Sequence, residues 1–232
     1  MKTLVIIPTY NEKENISEIV PQILAQGLGV DILVVDDNSP DGTGQVVQKM
    51  AQDLTGLFLL SRPGKQGLGR AYIAGFEWGL SRDYDLFIEM DADFSHRPLD
   101  LKPIIEQAGT CDFVVGSRWT QGGGVLNWGL GRKVISKGGS FYSRMILGFP
   151  IQDWTGGFNA WHRRVLEKIN LKTLNSQGYS FQVELKYRAS QEGFCGKEVP
   201  ILFEDRRVGQ SKMSLSIVIE AFWRVILLKL SI

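Results

Sequence analysis

Two aspartates one residue apart, Asp91 and Asp93, follow an apolar run and are separated by the small Ala92. Carboxylates so spaced at a turn can share a hard divalent cation, whose other positions go to waters and phosphate oxygens. Such a cation offsets the charge of a leaving diphosphate. An acidic pair in a loop is just as readily a solvated turn, so its neighbours matter. A second acidic junction, DDNSPDGT at Asp36–Thr43, also follows an apolar run. Asp41 and Thr43 suit a helix-capping turn. The adjacent Asp36 and Asp37 exceed what capping needs, and Asp37 can accept bonds from a base or a ribose. Loop closure and ligand contact both remain open there.

Basic residues lie further along. Between Phe113 and Gln152 stand Arg118, Arg132, Lys133, Lys137 and Arg144, without an acid. With glycines and Ser136 among them they suit a phosphate, since Arg offers a planar fork and Lys a mobile point charge. A solvated helix face competes for Lys133 and Arg144. Arg206, Arg207 and Lys212 form a second basic cluster. Other chemistries lack their signatures. No GxGxxG follows the first apolar run, and Gly64–Gly69 (GKQGLG) lacks P-loop order and reads as a glycine-rich helix entry. His96 and His162 make no zinc spacing, and no serine has evident His and Asp partners.

Elements must hold these residues in place. Runs at Thr3–Ile7, Asp31–Val35, Leu57–Ser61, Asp85–Met90 and Asp112–Gly116 read as strands. Helical stretches at Glu12–Gln26, Gly42–Leu54, Gly67–Leu80 and Pro98–Ala108 alternate with them. That alternation predicts an α/β fold, a mostly parallel Rossmann-like sheet flanked by helices, with ligands outside the strands' carboxyl ends. Later segments predict helices at Val134–Leu147 and Phe181–Glu192 and a strand at Lys197–Phe203. The 232 residues, 44% hydrophobic and 22% charged, suffice for a buried core, and the net charge of +1 argues against a nucleic-acid partner. Cys111 and Cys195 form no CxxC pattern, which fits a reducing compartment.

PTYNE, VVDDNSPDGT, MDADFSH, the GSR at Gly116–Arg118, GYSFQVELKYRA and EVPILFEDRRVGQSK together resemble family 2 glycosyltransferases, most closely the dolichyl- or polyprenyl-phosphate mannosyltransferases. The likeness runs from about Thr3 to Met213, in motif order. It implies a glycosyltransferase A-type fold and inverting transfer of mannose from GDP-mannose to a polyprenyl phosphate with Mg or Mn. Residue by residue, it implies nucleotide-sugar contacts at Pro8, Tyr10, Glu12, Val35, Asp37, Asp91, Ala92, Asp93, Arg118, Arg206 and Lys212. It further implies catalytic roles for Asp91, Asp93, Arg118 and Arg206, metal ligation by Asp91 and Asp93, and acceptor-phosphate contacts at Arg132 and Ser136. Ser95 would be a poor third metal ligand. Asn159 departs from the family's usual Arg. A phosphate monoester near neutrality is largely a dianion, so no catalytic base is expected, with Asp153 the main exception.

The expected organisation is a catalytic domain at 1–213 and an apolar helix at 214–232. At 1.5 Å per residue, Ile217–Ile232 extends roughly 24 Å, short of a bilayer core. Burial against the domain, a membrane-surface helix and a chain ending within a longer membrane segment are the competing readings, with the membrane surface favoured by the substrate. No signal peptide is read at Lys2–Pro8, so the expected location is the cytoplasmic side of a membrane, peripheral or weakly anchored. Rival functions are transfer from UDP-glucose or another UDP-sugar to undecaprenyl phosphate, a sugar-1-phosphate nucleotidyltransferase, and a non-catalytic nucleotide- or lipid-binding protein.

Overall fold

The computed structural model describes residues 1–174, 176, 178–205 and 215–230, with main chain alone at Tyr179 and through 215–221. Its first half alternates β1 (Thr3–Thr9), α1 (Lys13–Leu24), β2 (Asp31–Asp36), α2 (Thr43–Asp53), β3 (Leu57–Ser61), α3 (Leu68–Leu80), β4 (Leu86–Glu89), α4 (Leu101–Ala108) and β5 (Phe113–Ser117). There follow β6 (Gly124–Val125), α5 (Leu130–Leu147), β7 (Asn159–His162), α6 (Arg163–Lys168), α7 (Tyr179–Gln191), β8 (Gly196–Pro200), β9 (Leu202–Phe203) and α8 (Leu215–Leu230).

The main sheet has the order β3-β2-β1-β4-β7-β5-β8. All its pairings are parallel except those of β7, which runs antiparallel between β4 and β5, with Phe87 opposite Trp161 and Val114 opposite Ala160. Side chains alternate across each strand. In β1 and β2, Leu4, Ile6, Leu33 and Val35 therefore join one core, while Val5, Ile7, Ile32 and Val34 join the other. Strands buried on both faces read as unbroken apolar runs, which is why the sequence marks them so clearly. Gly75 lets α3 lie close on the sheet, since a Cβ there would come within 2.6 Å of Ile6 Cγ2.

Several features depart from the expected elements, β6 and α6 among them. The strand expected at Lys197–Phe203 divides after Pro200, and β9 leaves the main sheet to pair with β6. β7 was not expected at all. The apolar C-terminal helix packs against α5 and α7, with Val225 buried in the core and the Tyr142 hydroxyl donating to the Phe222 carbonyl at 3.2 Å. Among the described residues no helix is long and apolar enough to cross a membrane.

Candidate active site

The loops that leave β1, β2, β4 and β5 converge at one end of the sheet around a cleft of about 340 Å³. Three non-glycine residues in those loops, Asn11, Asn38 and Phe94, take left-handed conformations with φ of 62°, 56° and 62°. Asn tolerates this region by bonding locally, but Phe94 does not. The turn after Asp93 is therefore held by its surroundings rather than by preference.

The two acids after β2 have separate tasks. Asp36 closes the loop, its carboxylate accepting from the Thr9 hydroxyl at 3.0 Å, the Ser39 hydroxyl at 2.5 Å and the Ser39 N–H at 3.0 Å. Asp37 lines the cleft and pairs with Arg62 at 2.6 Å. Burial pushes the Asp37 carboxyl up despite that arginine. Asp41 ties two helix starts together, accepting from Thr43 and from the Lys13 N–H.

In the turn after β4, Asp91 and Asp93 both line the cleft. Asp91 accepts the Tyr72 hydroxyl at 3.2 Å, and its N–H donates to His96 Nδ1 at 3.0 Å. His96 is buried and stacks on Phe158, and burial lowers its pKa. Ser95 closes the turn by donating both its N–H and its hydroxyl to Asp93 Oδ1. The Asp91 side chain keeps 29% of its surface exposed. Among the described residues no cluster of three or more His, Cys, Asp or Glu could hold a metal. Two hard oxygen donors at an open cleft nevertheless fit Mg or Mn, which take only one or two carboxylates and complete their shell with waters and substrate phosphate.

The basic side is built from two directions, the end of β5 and helix α5. Arg118, just past β5, is almost buried yet lines the cleft. Its guanidinium is clamped by Asp153, with Nε and Nη2 each 2.7 Å from a carboxylate oxygen, and Nη2 also reaches Thr155. Arg132 and Ser136, one turn apart on α5, line the same cleft. Arg132 lies 3.9 Å above the Trp128 ring and pairs with Asp205 at 2.6 Å.

Of the residues expected from sequence, Pro8, Tyr10, Glu12, Asp37, Asp91, Ala92, Asp93, Arg118, Arg132 and Ser136 all border the cleft. Val35 does not: the alternation of β2 sends its side chain into the core beneath α3. Arg206 and Lys212 lie outside the described residues. Asp153 is corrected as a candidate base, because it is fully buried and bound in the Arg118 ion pair. Burial alone would raise its pKa, but the charge and hydrogen bonds of Arg118 hold it below the usual carboxylate range. Lys65, Trp128, His96, Thr155 and Gln182 also line the cleft without having been selected. Lys65 had a signal, the GKQGLG run: Gly67, at φ 98°, turns the chain into α3 and leaves Lys65 stacked 4.1 Å over Tyr10.

A mostly parallel sheet with an acidic DxD turn and arginines lining one cleft at its carboxyl edge is the glycosyltransferase A-type arrangement. Residues 4–170 match the family described as Glycosyl transferase family 2, and the chain belongs to that family. It is 48% identical over 226 residues to a protein of Mycolicibacterium smegmatis named polyprenol monophosphomannose synthase, covering 97% of this chain and 85% of that one. It is 46% identical over 221 residues to an undecaprenyl-phosphate mannosyltransferase of Micrococcus luteus, covering 95% and 91%. Among solved structures, a mannosyltransferase from Pyrobaculum calidifontis in complex with GDP-Man and Mn2+ superposes with a TM-score of 0.60 at 15% identity, covering 99% of this chain and 73% of that one. That likeness carries the fold.

Proposed function

We propose that the protein transfers mannose from GDP-mannose to a polyprenyl phosphate, with inversion at the anomeric carbon, giving polyprenyl-phosphate mannose. The observation that carries the reading is one cleft lined by both carboxylates and arginines, in a chain similar along nearly its full length to two enzymes named for polyprenyl-phosphate mannosylation. An oxygen of the acceptor phosphate attacks the anomeric carbon. The bond from that carbon to the donor diphosphate breaks, and the nucleoside diphosphate leaves with the electron pair. A phosphate dianion needs no general base, in keeping with a buried, arginine-bound Asp153.

The site's task is to hold two anions on either side of one carbon. Asp91 and Asp93 would hold a divalent cation, Mg or Mn, which neutralises charge on the departing diphosphate. Arg118 faces the donor diphosphate; Arg132 and Ser136 receive the acceptor phosphate. Asp37, braced by Arg62, takes the nucleoside beside Tyr10.

A membrane surface is the proposed second partner. α5 buries Ser136, Ser140 and Ser143 and exposes Leu130, Val134, Ile135, Phe141 and Met145, the reverse of a helix facing water. Phe222, Trp223, Leu227 and Leu230 of α8 are exposed as well. Basic Lys133, Lys137 and Arg144 on α5 suit anionic headgroups. We infer a peripheral protein on the cytoplasmic side of the membrane, a reading supported by these exposed apolar faces and by the free thiols of Cys111 and Cys195.

Incubation with polyprenyl phosphate and either GDP-mannose or UDP-glucose, with Mg or Mn, tests the reading. Lipid-linked mannose from the first donor alone supports it. Lipid-linked glucose overturns the donor assignment, and no lipid-linked sugar from either overturns the function.

A further inference from the structure

Lys186 is a fully buried lysine on α7. Its ammonium donates to three main-chain carbonyls of one short loop, those of Asp153 and Trp154 at 3.1 Å and of Gly156 at 2.7 Å. The same loop clamps Arg118 from the other side, through the Asp153 carboxylate and the Thr155 hydroxyl. Asp153 also accepts the N–H groups of Arg118 and Gly156, each at 2.9 Å. The loop is thus wound between one cation behind it and another in front.

One turn earlier on α7, Gln182 reaches the acidic half. Its amide donates to Glu89 Oε1 at 2.9 Å, and its carbonyl oxygen accepts from Asn159 at 2.8 Å. Asn159 and Trp161 donate to Glu89 Oε2 at 2.9 Å each. Glu89 is fully buried at the end of β4, two residues before Asp91. Two residues one turn apart on one helix therefore hold both the loop that clamps Arg118 and the end of the strand that leads to Asp91.

We propose that α7 is the spacer that sets Arg118 relative to the Asp91 turn, and that Lys186 is a positioning residue which aims Arg118 through the 153–156 loop. The inference deepens the reading above and rests on sugar transfer being the reaction. Burying an ammonium costs several kcal/mol even after relaxation, and an apolar side chain would avoid that cost. No apolar side chain can gather three carbonyls, and unpartnered carbonyls would let the loop move. Burial pulls the Lys186 pKa down to about 8, with Asp153 and Glu89 opposing the shift. The side chain contributes through where it holds the loop, since Lys186 does not border the cleft.

The test compares wild type with Lys186→Met, Arg118→Lys and the double variant. Misplacing a charge by about 1 Å can cost a hundredfold in rate, so Lys186→Met is expected to lower kcat about 10- to 100-fold. Both KM values should change by less than about threefold. On the Arg118→Lys background the Lys186 change should add little, since the two act as a unit. A full additive loss, or an unchanged kcat, overturns the proposal. Hydrogen exchange on the ligand-free protein gives a second readout. Peptides covering 116–120 and 152–158 should exchange about tenfold faster in Lys186→Met than in wild type, while β1 to β3 stay unchanged. Equal exchange at the loop overturns the proposal whatever the activity. If Lys186→Met does not fold, Lys186→Gln, which keeps an N–H donor, is read by the same criteria. A wild type that transfers no sugar to polyprenyl phosphate would sink the functional reading while leaving the exchange result to judge Lys186.

Discussion

Asp153 shows how burial changes what a residue can do. In sequence it is an acid three residues before a glycine pair; in the fold it is sealed against Arg118, and its proton affinity is depressed. A depressed carboxylate contributes stability above its unfolded pKa and loses it as pH falls through the folded value. Asp153→Asn should therefore destabilise the protein at neutral pH by about 3–5 kcal/mol, the usual loss when a buried ion pair loses one member. The gap to wild type should narrow as pH drops below the ordinary value of 3.8. Urea denaturation of both proteins between neutrality and acid pH measures this. Arg132 makes a different case, because it belongs to the acceptor side. Arg132→Ala should raise the KM for polyprenyl phosphate by about tenfold or more, the scale of a lost charge-assisted bond. The KM for the donor should barely move, and equal changes in initial-rate assays with each substrate varied would count against the assignment.

At the scale of elements, α5 is built inside out. Its buried serines face the cleft and loop, with the Ser140 hydroxyl 3.4 Å from that of Thr155, while large apolar side chains point outward. Replacing Phe141 and Met145 together with Ser should weaken vesicle binding about tenfold or more, given ~25 cal/mol per Å² of apolar area withdrawn from water. Flotation with anionic liposomes measures the binding. Turnover with a short, water-soluble polyprenyl phosphate should persist in that variant. β7 carries the opposite lesson. Four residues, NAWH, show no strand signature, yet they lie antiparallel between two parallel strands because Ala160 and Trp161 complete both cores there. Asn159 is in this strand, spent on Glu89 and Gln182 rather than on the cleft.

For the whole molecule, the near-neutral charge of +1 is a sum over separated regions. The acids gather at the ends of β2 and β4, and the bases approach from β5 and α5. Chelation should consequently abolish transfer, with activity restored by Mg or Mn, and the melting temperature of the ligand-free protein should stay within about 2 °C. That fold rests on two apolar cores, and two carboxylates hold a cation too loosely to add much to stability. Transfer assays and thermal melts with and without EDTA decide both halves.

The strands β1 to β5, the helices between them and the polar junctions at their ends were legible because a doubly covered sheet imposes apolar runs of fixed length and puts ligands at one edge. Local chemistry was legible in part: Asp41 closes the turn into α2 by accepting from Thr43, although Gly42 holds the cap position, and Asp91 and Asp93 share a turn. What no local pattern carries is the partner of a buried charge. That Arg118 is aimed by Asp153, that Lys186 holds the same loop from behind, and that Glu89 reaches Gln182 across 93 positions of sequence were decided only by the tertiary structure. The physical reason is that hydrophobic patterning specifies which face is inside, whereas a buried polar group must find its complement wherever the packed chain brings one.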